Sequence, residues 1–148
     1  MKRLKHASMM AVLILGLMGL FWQVGWAGEG APEKINCDAE IAWDLDKAAK
    51  LSQFDCALGE SGGQPALIFT VGLENASDKA QRYRVNIFLE DMDKGFGHLV
   101  PRKGSPPVLE PGKSETVKIP FIGTEKESKK ILVIVKTVSV DYERMPAG

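Results

Sequence analysis

Two stretches of strict alternation constrain this chain more than any other feature. PALIFTVGLEN (65–75) sets Leu67, Phe69, Val71 and Leu73 at every second position. RYRVNIFLED (82–91) does the same with Tyr83, Val85, Ile87 and Leu89. An extended backbone sends successive side chains to opposite sides, so each stretch is a strand with one buried face and one wet face. Arg82, Arg84, Asn86, Phe88 and Glu90 take the wet face of the second. The polar joint ENASDKAQ, with Asn75, Ser77 and Asp78, reads as a turn that makes the two strands antiparallel neighbours.

Further strands follow the same logic. In LSQFDCALGE, Phe54, Cys56 and Leu58 share a face, which predicts a buried Cys56. Pro111–Gly112 has the order of a type II turn and launches TVKIPFIG, where Val117, Ile119 and Phe121 alternate inward. Pro120 falls on the opposite face and lacks an N–H, which predicts an edge or a bulge. KKILVIVKTVSVDY (129–142) is nearly continuous in β-branched residues and reads as a central strand covered on both faces. One helix is expected, in DAEIAWDLDKAAK, with Asp38 as N-cap, Ile41, Leu45, Ala48 and Ala49 at helical spacing, and an Asp46–Lys50 pair. DMDKGFGHLVPRKGSPP (91–107) reads as the longest irregular connection. Strands without helical crossovers favour an antiparallel β-sandwich of immunoglobulin-like type, here with one short N-terminal helix.

The N-terminus has the form of an export signal. Lys2, Arg3 and Lys5 precede an uncharged run from Ala7 to Phe21, and Gly25 and Ala27 put small residues before a cut after Ala27. The expected organisation is a signal peptide at 1–27, a flexible lead-in at 28–36, the sandwich domain at 37–142 and a tail at 143–148. The competing expectation is a retained membrane anchor, since the uncharged stretch is long enough to span a bilayer. In an oxidising compartment Cys37 and Cys56 pair by default. Closing that loop contributes about 3 kcal/mol on the chain-entropy estimate. The chain has 19 basic and 19 acidic residues, and removing the signal takes three bases and no acid. The acidic remainder has no basic field for nucleic acid.

The run from PALIFTVGLENASDKAQRYRVNIFLED through LEPGKSETVKIPF to ILVIVKTVSV resembles the small immunoglobulin-like domains of bacterial envelope proteins. In those domains a strand, an N-x-(S/T) turn, a second strand and a P-G-x-(S/T) turn succeed one another. The resemblance covers residues 65–142. It implies a fold and an adhesive or assembly role, with another envelope protein as partner, and carries over no catalytic residue.

Candidate chemistry is sparse. Gly59-Glu60-Ser61-Gly62-Gly63 spells the G-x-S-x-G of a nucleophile elbow, but a strand follows it where the elbow needs a helix. The glycines suit a hairpin turn instead. After the signal only His98 remains to assist a serine. The weak metal candidates are Asp91 and Asp93, which open a calcium-like D-x-D without the terminal Glu, and Met92 with His98 for copper. Nothing calls for a cofactor. Asn75-Ala76-Ser77 is a formal glycosylation sequon. Arg82, Arg84, Phe88 and Phe96 are the candidate partner contacts, because exposed aromatics beside arginine mark interfaces. The expected function is a secreted or periplasmic non-enzymatic binding or assembly module. The alternative is metal or small-ligand binding through the 91–107 loop. Intact-mass measurement of the exported protein should give a chain that begins at Gly28 and carries no free thiol. A mass that retains residues 1–27 would establish the anchored form.

Overall fold

The computed structural model describes residues 31–140. The expected signal peptide (1–27) and tail (143–148) lie outside the described residues. Eight strands are present: β1 (Ile35–Asn36), β2 (Glu40–Leu45), β3 (Ala49–Ser61), β4 (Gln64–Asn75), β5 (Arg82–Leu89), β6 (Lys94–Val100), β7 (Ser114–Ile122) and β8 (Lys130–Val138). They form two four-stranded sheets, ordered β1-β3-β4-β7 and β2-β8-β5-β6.

The two alternating stretches are β4 and β5, and their inward residues meet across one core. Leu67, Phe69, Val71 and Leu73 from the first sheet are buried with Tyr83, Val85, Ile87 and Leu89 from the second. Val117, Ile119 and Phe121 of β7 and Ile131, Val133 and Val135 of β8 complete it. Aromatic contacts tie the layers together at both flanks. Trp43 meets Phe54 edge-on at 5.1 Å between ring centres, and Phe96 meets Phe121 at 6.2 Å.

Several local readings hold. The hairpin joining β3 to β4 pairs Ser61 with Gln64 and turns through Gly62 and Gly63, at φ 60° and 76°. Positive φ at both central residues is what a two-residue type I′ turn requires. At Glu110–Lys113 the Lys113 N–H donates to the Glu110 carbonyl at 3.0 Å, with Gly112 at φ 75°. Pro120 does lie on an edge strand, since β7 pairs only with β4. Cys37 and Cys56 are bonded, with Cα atoms 5.1 Å apart, although Cys56 is half-buried rather than buried.

Several expectations are corrected. Residues 38–50 form no helix: Glu40–Leu45 is a strand running parallel to β8 over six residue pairs. Ile41, Trp43 and Leu45 also satisfy a period of two, and half-bury on the core side while Glu40, Ala42 and Asp44 stay exposed. Pairing along β8 satisfies an edge of backbone groups that a helix there would leave open. Asp46 does not pair with Lys50 but accepts the Ala48 N–H at 2.9 Å and shapes the turn into β3. The sheets are therefore not wholly antiparallel, since β1–β3 and β2–β8 are parallel pairs. The last residues of the supposed lead-in, Ile35 and Asn36, are β1, and the disulfide clamps β3 to the chain where it leaves β1 for the other sheet.

A further correction is that β4 and β5 are not neighbours. The joint between them is an arch from one sheet to the other. Alternation says which face is buried and leaves open which strand lies alongside. Asn75 holds the arch. Its Nδ2 donates to the carbonyls of Lys79 (2.7 Å) and Leu109 (2.8 Å), and its Oδ1 accepts from the Ser77 N–H (2.9 Å) and Oγ (2.7 Å). Next to it the Ala48 carbonyl accepts both the Ala76 N–H (2.9 Å) and the Tyr83 hydroxyl (2.7 Å). Burial, and secondarily the charge of Asp46, pushes the Tyr83 hydroxyl pKa up to about 12, so it stays a donor.

Nor is the 91–107 segment one loop. Lys94–Val100 is an edge strand paired with β5, and the irregular part begins at Pro101. The β8 strand is central but covered on one face only, with Leu132 and Ile134 half-exposed on the other.

Asn75→Ala would strip partners from two carbonyls and a serine in a buried arch. It should destabilise the domain by roughly 2–4 kcal/mol, as the sum of a lost network and unsatisfied buried groups. Denaturant unfolding midpoints check this, and Asn75→Asp should not rescue, because it lacks both donors.

Candidate binding face

The outward face of the β2-β8-β5-β6 sheet gathers most of the residues singled out as partner contacts. Along β5, Arg82, Arg84, Asn86 and Phe88 point away from the core, opposite buried Tyr83, Val85, Ile87 and Leu89. Register places Phe88 beside Leu132 of β8, and Leu132 beside Ala42 of β2. Asn86 stands beside Ile134. Phe88, 39% exposed, thus heads an apolar strip with Leu132 and Ile134.

Glycines on the edge strand make room for that strip. Gly95 pairs with Phe88. A Cβ at Gly95 would lie 2.8 Å from the Phe88 ring, and one at Gly97 would lie 2.7 Å from Asn86 Oδ1. The side chains of β5 therefore fold over the bare backbone of β6. A concavity of about 680 Å³ lies there, lined by Phe88, Leu132, Ile134, Gly95, the turn residues Glu90 and Asp93, and Lys94 at the start of β6.

Phe96 does not belong to this face. It pairs with inward Ile87 and leans toward Phe121, and it remains 44% exposed because it stands at the rim of the core. Arg82, Arg84 and Phe88 are brought together; Phe96 lies on the other side of the same sheet. The sequence could not separate them, because a Gly-Phe-Gly segment has no alternation to read.

The metal candidates are not assembled. Asp91 is committed to structure: its carboxylate accepts from Ser128 Oγ and from the Lys129 N–H at 2.8 Å, which holds its pKa below the usual carboxylate range. It anchors the turn after β5 to the start of β8. Asp93 takes the positive-φ position of that turn at 52°. Met92 packs against the core. His98 stands six residues beyond Met92, and the stretch of β6 from Lys94 to His98 alone spans roughly 13 Å. Among the described residues no group of three metal-ligating side chains converges. Ser61 and His98 lie on different sheets. The sequon is also internal: Asn75 is 1% exposed with both amide hydrogens bonded, so the folded domain presents no glycan acceptor there.

No protein-family model, curated protein or solved structure matches the chain.

Burial, and then the charge of Arg102, lower the pKa of His98 from 6.5; Arg82 and Arg84 line the same pocket. The unfolded chain then takes up the proton first, so His98 opposes stability as pH falls below 6.5. Melting curves between neutral pH and pH 5 should show wild type losing more stability than His98→Gln. Parallel loss in both would remove His98 as the cause.

Proposed function

We propose that this protein is an exported, non-catalytic binding module of immunoglobulin-like build that engages another envelope protein through the outward face of the β2-β8-β5-β6 sheet. The observation that carries this reading is the strip of Phe88, Leu132 and Ile134 beside the free edge of β6. An aromatic anchor at a shallow, partly apolar concavity is the usual centre of a protein contact. An edge strand with glycines at 95 and 97 presents its backbone to an extended partner segment, which can add to the sheet while its side chains meet the strip. The partner so recognised offers an extended segment with alternate apolar side chains.

The signal-like N-terminus and the disulfide support an exported location. The continuous core buried between the two sheets supports a scaffold role.

Photo-crosslinking in the native host tests the reading. A benzoylphenylalanine in place of Phe88 should give one discrete protein adduct, while the same probe at Thr116, on the outward face of β7, should give none. Ile134→Asp should lower the Phe88 adduct at least tenfold, the size expected at the centre of an interface. Equal labelling from both positions, or none from position 88, would contradict it.

A further inference from the structure

A second concavity lies at the other end of the same sheet and has a different chemistry. It encloses about 320 Å³ between Arg82 and Arg84 of β5, Gly97, His98 and Leu99 of β6, and Arg102 just beyond β6. Three arginines line it, and no aspartate or glutamate among the described residues does. Lys129, Lys130 and Lys136 all have acidic partners in Asp38, Glu127, Glu90 and Asp44. Among the described residues Arg82, Arg84 and Arg102 have none. Arg82 is half-buried, and its Nε donates to the Pro101 carbonyl at 3.2 Å, which orients the group and leaves its terminal N–H donors for another acceptor.

Three like charges gathered at a concavity repel one another, and no carboxylate among the described residues pairs with them. A carboxylate balances one guanidinium. A phosphomonoester, such as the headgroup of phosphatidic acid, carries close to two charges at neutral pH and several acceptor oxygens, and arginine forks match that geometry. We propose that the Arg82–Arg84–Arg102 pocket is a binding site for a phosphoryl group, contributed by a soluble phosphate compound or by a phospholipid headgroup. The site is independent of the protein-docking strip around Phe88 and stands or falls separately from it.

Calorimetric titration of the folded protein with inorganic pyrophosphate tests the chemistry. Phosphatidylcholine vesicles with and without phosphatidic acid test the source. The expected result is one-to-one binding of pyrophosphate that weakens as salt is raised. Affinity should fall roughly tenfold for each arginine removed in Arg84→Ala and Arg102→Ala, the scale of a charged hydrogen bond. Both side chains are exposed, so the variants should melt as wild type does. Lys118→Ala, on the outward face of the other sheet, should bind unchanged. Binding confined to phosphatidic acid vesicles and lost in the double variant assigns the phosphoryl group to a membrane surface. No binding in either arm overturns the proposal. So does binding that survives Arg84→Ala/Arg102→Ala, or a glutamate-rich peptide that binds where pyrophosphate does not.

Discussion

Everything in this fold turns on the side-chain amide of Asn75. There the chain leaves the first sheet, crosses the core and enters the second, and a crossing strand end exposes backbone groups that no ladder satisfies. Asn75 answers with both its donors and its acceptor, binding Lys79 and Leu109 ahead of it and Ser77 beside it. The Leu109 bond reaches 34 residues along the chain, so the arch also sets where the segment after β6 returns. Ala48, in the turn just before β3, and Tyr83 of β5 lock the same corner. Once β4 and β5 face each other across the core, β8 can pair with β5 and β2 with β8.

The N-terminal strands show the same economy of edges. β2 covers the flank of β8 that would otherwise lie open, and its parallel direction follows from where the chain enters after the disulfide. The Cys37–Cys56 bond fixes that entry at β3, while Lys129 meets Asp38 at 2.7 Å on the other side of the crossing. With β8 enclosed, β2 and β6 form the two edges of the second sheet, and β6 carries the glycines that shape the outward face beside Phe88.

Legibility in the sequence tracked side-chain pattern and failed where backbone pairing decided. Leu67 to Leu73, Tyr83 to Leu89 and Val117 to Phe121 declared their buried faces, and Gly62–Gly63 and Pro111–Gly112 declared their turns. Ile41, Trp43 and Leu45 fitted either period, because Ala48 and Ala49 extended a helical spacing that pairing with β8 overrode. Lys94–Val100 looked like a loop because its glycines hide a strand whose formation rests on hydrogen bonds to β5. Asn75 looked like an exposed turn residue, since its decisive partner, Leu109, is remote. Of the binding face, Arg82, Arg84 and Phe88 were legible from alternation. Leu132, Ile134 and Arg102 were not, because they join it only through the sheet order and the return of the chain after β6.

Partner binding on the outward face of the β2-β8-β5-β6 sheet, where an apolar strip around Phe88 lies at one end and the arginine pocket at the other, is the central proposal. Amide hydrogen exchange on the free domain and on its captured complex tests that claim most directly. Slowed exchange on binding is predicted in Lys94–Val100 and in Arg82–Leu89, with β7 and the Ser61–Gln64 hairpin unchanged. Protection centred on β7 or on that hairpin, with β5 and β6 unaltered, would contradict it.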